Sequence, residues 1–210
     1  MIINSDKKYV FVCVPKTATT SLHKFLVKAD NMPVKKVKNE WAGDKWHWPM
    51  SNIINEYQNL NFKEYYKFAF HRNPWDRLVS SLIEFTSDEG HITTWAKELC
   101  NYKNFEEFIL DLPNSQWKDE IHFQPTTYYT HSNGKKIVDF IGRYENLQTD
   151  LQKVFKKINH NIDNFNTGQK HRRTTRDKDY KKYYISDKMI NIVGDLFHKD
   201  IVTFGDKFND

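Results

Sequence analysis

Cysteine is scarce: Cys13 and Cys100 are the two in 210 residues. Two thiols make neither a disulfide framework nor a zinc-ligand pattern, so a reduced compartment is expected. Cys13 sits in an apolar run and reads as a small buried hydrophobe. Long apolar runs are also missing. No stretch approaches the roughly 18 apolar residues of a membrane span. Residues 1–8 lack the charged start, apolar middle and small-residue cleavage site of a signal peptide. The expectation is a soluble, cytoplasmic protein. No internal repeat, linker or shift of composition divides the chain, which predicts one domain over residues 1–210.

Aromatic side chains are plentiful, with 15 Phe, 11 Tyr and 6 Trp. They supply enough apolar surface to offset chain entropy, which excludes a disordered chain. The formal charge is 32 minus 27, or +5. That balance suits an anionic ligand, and it equally suits an ordinary basic protein. No nucleic-acid-binding motif accompanies the basic, aromatic patches, so no nucleic-acid partner is expected.

The run Tyr9-Val10-Phe11-Val12-Cys13-Val14 reads as a strand buried on both faces, as in a parallel sheet. Pro15 ends it. Leu22, Phe25 and Leu26 follow at helical spacing, with Thr19, Thr20 and Ser21 offering N-cap hydroxyls. A second strand is predicted over Tyr66–Phe70, with a helix from Pro74 whose stripe is Leu78, Leu82 and Phe85. Shorter helical pieces are expected at Ser51–Tyr57, Trp95–Cys100 and Phe105–Leu110. A third strand is predicted over Ile137–Ile141, after a turn at Asn133-Gly134. Leu147, Leu151, Val154, Phe155 and Ile158 mark an amphipathic helix, and a last helix starts at Ser186 and runs through Phe197. Strands alternating with helices predict an α/β fold: a central, mainly parallel β-sheet flanked by helices.

Two strand-to-helix turns carry the chemistry. In Val14-Pro15-Lys16-Thr17-Ala18-Thr19-Thr20-Ser21, backbone N–H groups and a positive helix end meet a lysine and four hydroxyls. That is a cradle for a phosphate or sulfate, or else an ordinary capped turn. It is not a Walker A loop, which needs two glycines with the lysine after the second. In Arg72-Asn73-Pro74-Trp75-Asp76-Arg77-Leu78-Val79-Ser80, Arg72 leaves a strand and Ser80 lies about two helical turns on. The two converge on one anion if the arginine folds back over the helix. The competing reading of Arg72 is an ion pair with Asp76, and Arg77 reads as structural, paired with Asp76 or Glu84.

Residues 15–21 resemble the 5′-phosphosulfate loop of sulfotransferases that use 3′-phosphoadenosine 5′-phosphosulfate (PAPS). Residues 72–80 resemble the family's 3′-phosphate motif. Gly142-Arg143-Tyr144-Glu145-Asn146-Leu147, residues 179–184 and residues 200–205 resemble later elements of the carbohydrate-type branch. The resemblance runs from about residue 8 to 208.

It implies the P-loop NTPase-like sulfotransferase fold and direct in-line transfer of a sulfuryl group from PAPS to an acceptor hydroxyl. PAP (3′-phosphoadenosine 5′-phosphate) is released, and no metal takes part. The acceptor is expected to be a glycan or another hydroxyl-bearing small molecule. Lys16 would stabilise the departing phosphate. Thr17, Ala18, Thr19, Thr20 and Ser21 would hold the 5′-phosphate, and Arg72 and Ser80 the 3′-phosphate. The family places a His or Glu base between the two motifs. His47 would fill that role here, with His71 the runner-up and Glu56 weaker. His47 also fits as a packing residue among Trp41, Trp46 and Trp48, which suit sugar stacking or core packing alike. Tyr144 would lie near the adenine. Arg173, in the basic run 170–176, would close on the 3′-phosphate, although this run departs from the family's Asn-x-Ser pattern. Two other function classes remain on the sequence alone: a non-catalytic PAP- or glycan-binding module, and a small kinase on a related fold.

Overall fold

The computed structural model describes residues 1–31, 44–86, 94–160, 165, 177 and 179–210. The strands are β1 (Ile2–Asn4), β2 (Tyr9–Phe11), β3 (Tyr66–His71), β4 (His131–Ser132), β5 (Lys135–Lys136) and β6 (Phe140–Arg143). The α-helices are α1 (Thr19–Ala29), α2 (Met50–Glu56), α3 (Pro74–Thr86), α4 (Phe105–Asp111), α5 (Thr126–Thr130), α6 (Leu147–Lys157), α7 (Asp187–Leu196) and α8 (His198–Phe204). The chain forms two compact units. One comprises residues 1–71 and 126–170, the other residues 72–125 and 171–210. No helix among the described residues is long and apolar enough to cross a membrane.

The first unit is built on a four-stranded sheet in the order β1-β2-β3-β6. The predicted buried run forms β2, and Tyr9 through Val14 are all fully buried. β2, β3 and β6 run parallel, with Phe11 opposite Phe68 and His71 opposite Arg143. The antiparallel edge strand β1 is an addition to the sequence reading. It is three residues long, too short for a period-two pattern to show. Leu22 and Leu26 of α1 and Leu151, Val154 and Phe155 of α6 join Phe11, Phe68 and Phe70 in one core.

The third strand moves from its predicted boundaries: it is Phe140–Arg143, not Ile137–Ile141. Asn133 and Gly134, with φ of 49° and 73°, close a small hairpin between β4 and β5. That hairpin takes the Ile137 N–H to the Thr130 carbonyl, so pairing with β3 starts later. The helix predicted from Ser186 through Phe197 is α7, with those two residues as its caps, and α8 follows it as an addition.

Gly142 is the one residue that fits the middle of β6. A Cβ there would lie 2.5 Å and 2.8 Å from ring carbons of Phe70, a core side chain that cannot swing away. Gly142→Ala is therefore expected to destabilise the protein by about 1–3 kcal/mol through overpacking. A denaturation midpoint equal to the parent's would contradict this.

The second unit is helical. Asn73 accepts a hydrogen bond from the Trp75 N–H (3.1 Å), and Pro74 opens α3, the pairing of polar cap and proline expected at a helix start. Leu78, Val79 and Leu82 of α3 pack with Phe108, Leu112, Met189, Val193 and Phe197. Residues 95–100, predicted helical, lie in a 3-10 segment over Thr94–Asn101. The Tyr180 hydroxyl donates to the Phe208 carbonyl (2.6 Å) and the Tyr184 hydroxyl to the Trp75 carbonyl (3.0 Å). The C-terminal motif residues thus tie this unit together. Arg77 is buried, donates to the Gln124 carbonyl (2.6 Å) and stacks on the Phe197 ring, a packing role with these partners where Asp76 or Glu84 was expected.

Candidate active site

The parallel strands end at one edge of the sheet, where open α/β sheets hold their ligands. β2 delivers the loop that precedes α1, β3 ends at His71, and Tyr144 follows β6 with its N–H on the His71 carbonyl (2.7 Å).

The loop after β2 is strained. Lys16 and Ala18 both have φ of 65°, in the left-handed region. For a residue with a Cβ this costs about 1–2 kcal/mol. Thr17 holds the turn: it is fully buried, and its hydroxyl donates to the Val14 carbonyl (2.9 Å). Left-handed residues in a tight turn line successive N–H groups around a concavity that suits an anion. Ala18 is also the N-cap of α1. This corrects the expectation of a hydroxyl cap from Thr19, Thr20 or Ser21. Thr19 is buried inside the first turn, and a methyl group cannot accept the first-turn N–H groups. Lys16 and Ser21 are half-buried and Thr20 is exposed. With its hydroxyl spent on Val14, Thr17 can offer an anion only its amide. The residues therefore fit a phosphate or sulfate group: amides, a cation and two accessible hydroxyls, with no carboxylate among residues 12–21.

His47 is brought to this loop. Its Nδ1 lies 2.6 Å from the carbonyl of Cys13, two residues before Pro15. A carbonyl only accepts, so Nδ1 carries the proton and Nε2 is the basic nitrogen of the neutral ring. The runner-up is placed otherwise. His71 is fully buried, with Nδ1 2.9 Å from the Thr126 hydroxyl. Glu56 is exposed and paired with Lys45 at 2.5 Å. Trp46 packs against the core of the first unit, and Trp48 lies under the Lys45 ammonium. Trp41 and the run 170–176 with Arg173 lie outside the described residues.

In the second unit, Arg72 is 4% exposed. Both its Nε and one Nη lie 2.7 Å from Asp76 Oδ2, so the predicted ion pair forms. Ser80 is half-buried on α3.

The sequence reading missed the Cys13 carbonyl as the partner of His47, and His23. His23 lies on α1, is 2% exposed and packs its ring on Trp46, with centroids 4.3 Å apart. Burial pushes its imidazole down to about 3. Its place beside Leu22 was the available signal; nothing in the sequence pairs it with Trp46.

Comparison with known proteins identifies the family of the chain. The model of the sulfotransferase family matches residues 1–208. An uncharacterized protein of Archaeoglobus fulgidus is 37% identical over 111 residues, 52% of this chain and 81% of that protein. Carbohydrate sulfotransferase 11 of Danio rerio is 25% identical over 186 residues, 75% of this chain and 52% of that protein. The rat protein of the same name is 24% identical over 182 residues. The chain spans about half the length of these carbohydrate sulfotransferases. No solved structure matches it significantly.

Proposed function

The chain belongs to the sulfotransferase family, and we propose that it moves a sulfuryl group from PAPS to a carbohydrate hydroxyl. The observation that carries this reading is the loop 15–21, with its left-handed Lys16 and Ala18 and its uncapped helix start. The likeness to carbohydrate sulfotransferase 11 supports a carbohydrate acceptor.

PAPS supplies a sulfuryl group already joined to a phosphate leaving group. The protein's task is then to position and to neutralise charge. The amides of residues 16–21 and the hydroxyls of Thr20 and Ser21 bind the 5′-phosphate. Lys16 offsets the negative charge that grows there as the bond breaks. Nε2 of His47 accepts the acceptor's hydroxyl proton. Arg72 and Ser80 bind the 3′-phosphate, with Asp76 orienting the guanidinium. Tyr144 sits by the adenine, and Arg173 adds charge for the 3′-phosphate.

The 3′-phosphate assignment has a clean test in Ser80. Arg72→Ala is a poor probe, since leaving Asp76 without its arginine costs about 3–5 kcal/mol when such a pair is buried. Ser80→Ala removes one hydrogen bond to a charged group, worth about 1.5–3 kcal/mol. PAP affinity measured by calorimetry is expected to fall at least tenfold. Affinity for adenosine 5′-monophosphate, which lacks the 3′-phosphate, should stay unchanged. Equal losses for both ligands would contradict the assignment.

A further inference from the structure

We propose that His23 is a positioning residue for His47: its ring, packed on Trp46, holds the Trp46–His47 segment so that the His47 Nδ1–H stays on the Cys13 carbonyl. The proposal deepens the reading of His47 as the base and rests on it.

The geometry forms a bracket around the phosphate loop. Cys13 lies just before residues 15–21 and His23 just after them. From the first side, the Cys13 carbonyl takes the His47 Nδ1–H at 2.6 Å. From the other, His23 packs its ring against Trp46, with centroids 4.3 Å apart at 51°. Trp46 in turn meets the His47 ring edge-on, at 6.0 Å and 81°. The base is therefore registered to the strand end and the helix that also carry the loop. A shift of either would move His47 along with Lys16.

The consequence is chemical as well as spatial. In a histidine, the hydrogen bond made by one ring nitrogen decides which nitrogen stays basic. Released from Cys13, a solvated imidazole prefers to carry its proton on Nε2. That is the nitrogen which must accept one. A clamp that holds Nδ1–H on a backbone carbonyl thus sets the tautomer, and not merely the place, of the base. His23 suits the task because it is buried and uncharged at working pH, so it presents a flat neutral ring to the indole.

Histidine-selective ¹⁵N NMR tests this without relying on turnover. The His47 signals are assigned by their absence in His47→Ala. In the parent protein they should show a neutral ring protonated on Nδ1. His23→Phe keeps a flat ring against Trp46 and should preserve that pattern. His23→Ala should shift it toward protonation on Nε2 and lower PAP formation from PAPS about tenfold, while PAP affinity changes less than twofold. Trp46→Leu removes the other half of the stack. It should shift the pattern in the same way, and it carries the test if His23→Ala does not fold. The proposal is overturned by a His23→Ala pattern identical to the parent's, by a shift in His23→Phe as large as in His23→Ala, or by a parent ring protonated on Nε2. Full PAP formation by His47→Ala would instead remove His47 as the base and leave the tautomer result standing, so the two failures are separable.

Discussion

Lys16→Ala should abolish sulfuryl transfer and leave the protein folded. The lysine sits at φ 65° in a loop held by the buried Thr17 and by the end of β2. Alanine has the same Cβ and meets the same backbone strain, so stability should stay within about 1 kcal/mol of the parent. The charge is what disappears. In the proposed reaction, negative charge grows on the oxygen that leaves with the 5′-phosphate, and Lys16 is the cation of the loop that faces it. Removing one preorganised group of this kind costs about 10²–10³ in turnover. PAP formation from PAPS should therefore fall at least a hundredfold at an unchanged melting temperature. Retained turnover, or loss of turnover through unfolding, would contradict this role.

His47→Ala should separate turnover from binding. The imidazole bonds a backbone carbonyl through Nδ1, and its other nitrogen is the one proposed to take the acceptor's proton. General-base assistance contributes about 10²–10⁴ to a rate. PAP makes no use of that proton. Turnover should thus drop by at least a hundredfold, while PAP affinity stays within about twofold, since no hydrogen bond to the ligand is removed. An equal loss in both would make His47 a binding or packing residue. Unchanged turnover would leave it with no part in the chemistry.

The sequence carried the scaffold of this site further than its details. β2 was legible because six consecutive apolar residues with β-branched members fit a strand covered on both faces, and Tyr9–Val14 are buried. α3 was legible from Pro74 and the spacing of Leu78 and Leu82, and both leucines are core residues. The cap of α1 was not. Residue-type preference points to a hydroxyl, and the backbone instead turns through Ala18 in a conformation that no sequence pattern favours for alanine. The Asn133-Gly134 turn was legible, but β1 and the strands β4 and β5 were missed because strands of two or three residues carry no periodicity. His23 lay hidden for a different reason. Its place beside Leu22 hints at burial, but nothing in the sequence marks Trp46, 23 positions away, as the ring that covers it. Arg72 shows the reverse: the ion pair with Asp76 was readable at i,i+4 spacing and is present.

The central claim is that this chain binds the PAPS nucleotide, and thermal stabilisation by matched ligands tests it most directly. At a ligand concentration about a hundred times its dissociation constant, binding adds about 2.7 kcal/mol to stability. For a protein of this size that raises the melting temperature by about 5–10 °C. PAP or PAPS, without added metal, is expected to give such a shift, and ATP with magnesium little or none. A shift with ATP and magnesium but none with PAP or PAPS would contradict the account.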